Sequence, residues 1–284
     1  TTVSSILLFC SMRFLGSLKG ARVLVTGAST GIGEQMAYRY ARFGAQIVIT
    51  ARREHILHRV AEKCVSLGAQ KVLYIAADLA QPSDPDRVKR QALEGSLLPS
   101  FVFAGGLDYL VLNHIGASPF ATWDGDVEHT RWLMQVNFLS YLQMTSRALP
   151  SLEESRGSIV VVSSLLGKMS SPFVGPYAAT KFALSGFFGS LRHEMTMRGS
   201  NVTITMCFLG LIDTQSAMEK VKGYTNTKAH PASEAALHII KAGATRQWDT
   251  FYPWHLYYMI LTGNLHPFIW DFIIRSLIPS VYNL

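Results

Sequence analysis

The sequence predicts an α/β fold: a doubly wound parallel sheet with helices on both faces and an apolar C-terminal appendage. Three observations predict it. Short aliphatic, β-branched runs recur without polar alternation, as strands covered on both faces require. Helical stretches separate these runs, and such alternation builds an open parallel sheet. The first run ends in a glycine-rich turn that opens a helix, Thr26-Gly27-Ala28-Ser29-Thr30-Gly31-Ile32-Gly33.

In chain order, ARVLVT (21–26) is the first strand, and the helix after the glycine turn runs through Phe43 and is closed by Gly44. Further strands are QIVIT (46–50), KVLYIA (71–76), DYLVL (108–112), SIVVVSS (158–164) and NVTITMC (201–207). Helical segments fall near 54–67, 84–95, 124–149, 177–198 and 233–242. One connection is too long for this pattern: GSLLPSFVFAGG, ending at Gly106, reads as an insertion with an exposed-looking apolar run, Phe101–Ala104. The chain divides into an apolar arm (1–17), one α/β domain (18–253) and an apolar segment (254–284).

Hydrophobic residues make up 49% and charged residues 16%, which excludes a disordered chain. Three scattered cysteines exclude a disulfide framework and give no metal site. The net charge of +7 is spread thinly, without the stripe that nucleic-acid binding needs. Residues 3–10 (VSSILLFC) are too few to span a membrane, and read as a signal or anchor remnant or as a frayed arm. Within Phe268–Ile278 the only ionic groups are Asp271 and Arg275, on one helical face. Such a segment belongs at a membrane interface, over a greasy cavity, in a subunit contact or in an ordinary core.

The glycine turn stands where a dinucleotide pyrophosphate docks, on the unpaired N–H groups of a helix N-terminus. Gly27–Gly31 also matches a G-x-S-x-G nucleophile elbow, but no earlier strand is present to complete an oxyanion hole. After the second strand the chain reads Thr50-Ala51-Arg52-Arg53, with no acid before Glu54. Arg52 therefore favours a 2′-phosphate over a free ribose hydroxyl, and so NADP(H) over NAD(H). Tyr177 and Lys181 are four apart on one helical face, so the lysine is expected to lower the phenol's pKa and make Tyr177 a proton shuttle for an alcohol. Ser164, at the C-terminal end of the fifth strand, can hold the reacting oxygen. Asn137 lies in a helical stretch and can hold a water that relays protons to Lys181.

These motifs, with Asn113-His114-Ile115-Gly116, fall in the order and spacing of the short-chain dehydrogenase/reductase family, and resemble its hydroxysteroid dehydrogenase branch. The resemblance implies a Rossmann-type fold and an NADP(H)-dependent interconversion of secondary alcohol and ketone on a steroid, at the 11-position as in cortisol and cortisone. Another lipid substrate, or a non-catalytic lipid- or partner-binding relative, are the alternatives. It implies that Gly27, Ser29, Thr30, Gly31, Ile32 and Gly33 line the pyrophosphate site, with Arg52 on the 2′-phosphate. Asp78 would sit by the adenine, Asn113 by a ribose, and Ile212, Thr214 and Ser216 near the nicotinamide. One enzyme of that branch carries a lysine where this chain has Thr30, so one phosphate contact is missing relative to it. The resemblance further implies a homodimer and a membrane-associated endoplasmic reticulum lumenal or secreted location, and the apolar residues of 254–284 offer one way to contact a membrane interface. Asn201-Val202-Thr203 is a glycosylation sequon, which suits such a location.

Overall fold

The computed structural model describes residues 18–93, 103, 106–116, 118–225, 227–264, 268–270 and 272–273. The N-terminal arm, most of the 95–106 insertion and most of Phe268–Ile278 lie outside them. Strand β1 (Arg22–Thr26) enters helix α1 (Gly31–Arg42), followed by β2 (Gln46–Ala51), α2 (Glu54–Ser66), β3 (Lys71–Ala76) and α3 (Asp84–Leu93). The second half runs β4 (Tyr109–Leu112), α4 (Val127–Met134), a π-helical turn (Gln135–Leu139), α5 (Ser140–Ser155), β5 (Ser158–Ser164) and α6 (Gly175–Met197). Strands β6 (Thr203–Leu209) and β7 (Ile212–Asp213), helix α7 (Gln215–Val221), β8 (His230–Pro231), α8 (Ala232–Ala244), β9 (Asp249–Tyr252) and α9 (His255–Gly263) complete it.

Seven strands form one sheet in the order β3-β2-β1-β4-β5-β6-β9, and every pairing is parallel. Strands β2 and β4 flank β1, so the connections reverse direction there and a crevice opens at the carboxyl ends. Val23, Leu24 and Val25 are fully buried because each face of the sheet is covered. On one face Met36, Tyr40, Leu57, Cys64 and Ile239 bring in α1, α2 and α8. On the other, Val88, Met144, Leu184 and Phe188 bring in α3, α5 and α6.

Four expectations change. A seventh strand, β9, pairs among the described residues with β6 alone (Met206↔Asp249 through Leu209↔Tyr252). Its four residues open on an aspartate and stop before a proline, too short for a β-branched run to mark them. Strand β6 lies two residues later than expected, which carries Phe208 and Leu209 into the core. The expected helix over 124–149 is two helices joined by the π-helical turn, and it continues past Pro150. Phe103, expected on an exposed run, is buried in the core beneath α3 and α5.

The apolar segment after 253 is partly built into the domain. Leu256 and Ile260 of α9 are buried, and Trp270 packs over Gly263. No helix among the described residues is long and apolar enough to cross a membrane. Among the same residues, no cluster of ligating side chains could hold a metal ion.

Candidate active site

Strand β1 ends by feeding its backbone into the crevice. Gly27 has φ +66°, and a Cβ there would stand 2.7 Å from the Cα of His114. At Gly33 a Cβ would meet the Gly27 carbonyl oxygen and lie 2.6 Å from Asn113 Nδ2. Backbone alone fits at these two positions. Thr30 occupies the N-cap of α1 without a side-chain capping bond, so the helix's first N–H groups face the crevice without a side-chain acceptor from the cap. That combination fits a pyrophosphate.

The end of β4 is fastened to this turn. Asn113 Nδ2 donates to the carbonyls of Thr26 (3.2 Å) and Gly27 (3.3 Å), and its N–H donates to Thr26 Oγ1. His114 bridges further: Nδ1 meets Thr26 Oγ1 at 2.8 Å and Nε2 meets Ser140 Oγ at 2.6 Å. Burial, with Lys181 nearby, pushes the imidazole down to about 3, so it is neutral at physiological pH. Sequence reasoning noticed the His114 motif but gave this residue no role.

The expected phosphate corner carries two adjacent arginines, Arg52 and Arg53. Both arginines are exposed, but it is Arg53, not Arg52, whose guanidinium donates to Ser29 Oγ (3.3 Å) and Thr30 Oγ1 (3.1 Å). Arg53 is the N-cap of α2, and its side chain turns back over the glycine turn. Asp78 lies just beyond β3, half-buried, and its Oδ1 accepts from the Ala80 N–H. Ile212 is buried, Thr214 caps α7 by accepting from the Ala217 N–H, and Ser216 is exposed.

Ser164, Tyr177 and Lys181 come together on one cavity of about 650 Å3, beside Ile32 and Asn113 of the glycine-turn side. Strand β5 places Ser164 at its last position, and α6 carries Tyr177 in its first turn with Lys181 one turn on. Lys181 is buried; its Nζ donates to the Val162 carbonyl (3.2 Å) and lies 5.6 Å from the Tyr177 ring centre. The phenol does not follow the sequence expectation. Burial pushes Tyr177 up to about 12, while a hydrogen bond with Ser164 opposes the rise. Burial also brings Lys181 down to about 8. The expectation considered the cation and omitted the desolvation that accompanies a closed cavity.

Asn137 sits in the π-helical turn, fully buried. Its Oδ1 accepts from the Gly116 N–H at 2.6 Å and its Nδ2 donates to Thr180 Oγ1 at 3.4 Å. The side chain therefore ties the loop after β4 to the helix that carries Tyr177 and Lys181. The rest of the cavity wall is largely apolar, including Phe120, Val174, Leu211, Val221, Leu256 and Met259. Helices α7 and α9 supply much of this wall.

A family model described as short chain dehydrogenase matches residues 21–225. The Hydroxysteroid 11-beta-dehydrogenase 1-like protein of Danio rerio is 64% identical over 260 residues, covering 92% of this chain and 88% of its own. Two solved structures share the fold. A short chain dehydrogenase/reductase from Burkholderia phymatum in complex with NAD aligns with a TM-score of 0.75 at 19% identity, over 86% of this chain and 92% of its own. A short-chain dehydrogenase from Sphingobium yanoikuyae in complex with NADPH aligns with a TM-score of 0.72 at 22% identity, over 88% and 96%.

Proposed function

Because this chain belongs to the short-chain dehydrogenase family, we propose that it is an NADP(H)-dependent oxidoreductase interconverting a secondary alcohol and a ketone on a steroid. The observation that carries this reading is the meeting of Ser164, Tyr177 and Lys181 in one largely apolar cavity beside the glycine turn. The name of the Danio rerio relative supports the steroid 11-position. The guanidinium of Arg53 over Ser29 and Thr30, with no acid in the corner before Glu54, supports the phosphorylated cofactor. Gly27, Gly31, Ile32 and Gly33 would lie under its pyrophosphate, Asn113 by a ribose, Asp78 by the adenine, and Ile212, Thr214 and Ser216 near the nicotinamide.

NADP(H), when bound, would supply or receive the hydride. The chain's own groups handle the oxygen and its proton. Ser164 Oγ holds the substrate oxygen beside the Tyr177 hydroxyl. With its pKa pushed up to about 12, Tyr177 is a neutral phenol at physiological pH, ready to donate to an oxygen that gains negative charge. Lys181, at about 8, is largely cationic there and stabilises the phenolate left behind. Asn137 keeps the Gly116 loop and α6 in register, which fixes where the phenol stands. The apolar wall excludes water and receives the hydrocarbon skeleton.

The same reading places the chain in the endoplasmic reticulum lumen or in a secreted form, supported by the exposed Asn201 of the sequon. Membrane-interface contact through 254–284 is supported by the exposure of Trp254, Tyr257, Tyr258 and Leu261 on α9. Pairing of two copies through the helices around α5 and α6 is supported by exposed Leu139 and Phe182.

The test is turnover of cortisone with NADPH, and of cortisol with NADP+, with the product identified by mass spectrometry. Formation of the 11-hydroxy product with a preference for NADPH over NADH is expected. NADPH binding without conversion of any ketosteroid would refute the steroid assignment, and absence of NADPH binding would refute the cofactor.

A further inference from the structure

The lining of the catalytic cavity has a one-sided charge. Its described residues include Lys181, Lys220, Lys228, His230 and His255, and no aspartate or glutamate among them. Lys181 belongs to the catalytic group. Lys228 and His255 are exposed, and His230 stands with its ring centre 6.4 Å from that of His255, so these three mark the solvent side of the cavity.

Lys220 is placed differently. On the short helix α7, Gln215, Met218 and Glu219 are exposed and outside the cavity, whereas Ala217, Lys220 and Val221 line it at helical spacing, with exposed Ser216 at its edge. A lysine thus occupies the inward face, next to apolar neighbours. The nearest acid in sequence, Glu219, is engaged by Gln215, whose Nε2 donates to Glu219 Oε1 at 3.0 Å. No acidic partner for Lys220 is found among the described residues. Burial alone lowers its pKa, so the ammonium does not keep the full hydration of a lysine that reaches freely into water. A cation held half-buried against an apolar wall, without a counter-charge from the chain, is compensated when a ligand brings one.

We infer that the substrate is an amphipathic anion: a steroid-sized alcohol or ketone whose end remote from the reacting carbon carries a carboxylate or sulfate that pairs with Lys220. This rests on the proposed oxidoreductase reading and narrows its substrate class. The apolar wall takes the skeleton, Ser164 and Tyr177 take the oxygen at one end, and Lys220 takes the anion, with Lys228, His230 and His255 adding positive potential or donors on the solvent side.

Calorimetric binding to the NADP+-loaded protein tests it without depending on turnover. Two matched pairs serve as probes, dehydrocholate with its methyl ester, and dehydroepiandrosterone sulfate with the free sterol. The acid or the sulfate should bind roughly tenfold more tightly than its neutral partner. Lys220→Gln should bring that ratio towards one by weakening the anion, and Lys220→Arg should retain it. Preference in one pair only identifies which anion the site takes. Equal or tighter binding of both neutral members, binding of none of the four, a preference that survives Lys220→Gln, or a loss of NADP+ affinity in Lys220→Gln would each overturn the assignment. The last result would mean that Lys220 serves the cofactor. Melting temperatures of both variants establish that they are folded. Loss of ketone turnover with anion selectivity intact would count against the oxidoreductase reading and leave the anion site standing.

Discussion

The two sides of the cavity are built in different ways. On the β1–β4 side the turn from Thr26 to Gly33 is shaped by glycines where only backbone fits, at Gly27 and Gly33. On the α7–α9 side the wall is made of side chains from segments more than thirty residues apart in sequence, such as Ala217 and Leu256. The first side tolerates little change and would serve a common cofactor. The second can change its lining one residue at a time, as Lys220 among apolar neighbours illustrates. A fold that holds one side fixed can vary the other.

That contrast can be broken by exchanging severe and mild substitutions between the sides. Gly33→Ala puts a methyl group against the Gly27 carbonyl and Asn113, so it should cost about 3 kcal/mol of stability and abolish NADPH binding. Met259→Ala, on the opposite wall, should raise the substrate KM roughly tenfold and leave the NADPH Kd unchanged. Thermal melts with cofactor titrations, followed by steady-state kinetics, read both. Comparable effects on cofactor affinity from the two changes would remove the distinction.

A milder change sharpens it within the cofactor side. Arg53→Gln should raise the NADPH Kd roughly five- to tenfold and the NADH Kd by roughly twofold or less, since Arg53 is exposed and its charge is screened. Nucleotide fluorescence titrations decide this, and Arg52→Gln is the matched control. A larger effect at Arg52 would put the 2′-phosphate on Arg52, as the sequence expectation has it.

A further prediction concerns pH. His114 falls from 6.5 to about 3 on folding, so between those values the unfolded chain binds more protons. Stability supplied by the neutral imidazole is therefore fully present above pH 6.5 and is lost as pH drops towards 3, by at most about 1.4 kcal/mol per unit. Urea melts from pH 7 to 4.5 should show a shallower pH slope in His114→Asn than in the parent, whatever the difference in absolute stability. An identical slope would mean that the Thr26–His114–Ser140 bridge is not carried by a neutral ring.

Six of the seven main strands, and the meeting of Ser164 with Tyr177 and Lys181, were legible because each rests on local pattern: buried strands, a glycine turn, a four-residue helical spacing. What was not legible depends on distant neighbours. Strand β9 is an edge strand that needs only β6 beside it. That Arg53 turns back over the glycine turn depends on which way two adjacent side chains leave the start of α2, a rotamer question that the letters do not carry. The rise of Tyr177 comes from desolvation by a cavity assembled from many segments, whereas the lysine beside it was visible from spacing alone. Lys220 was missed because a short helix of mixed composition shows no inward face until its surroundings are in place.

The central claim is that a half-buried, protonated Tyr177 moves the proton in a reaction performed with a nicotinamide cofactor held by the glycine turn. Removing one oxygen atom tests it, by comparing Tyr177→Phe with the parent protein for NADPH affinity and for the rate of ketosteroid reduction in the same preparation. The account predicts an unchanged NADPH Kd and a kcat lowered by roughly 10²–10⁴-fold. Reduction that continues within a few-fold of the parent, with NADPH bound, would contradict it.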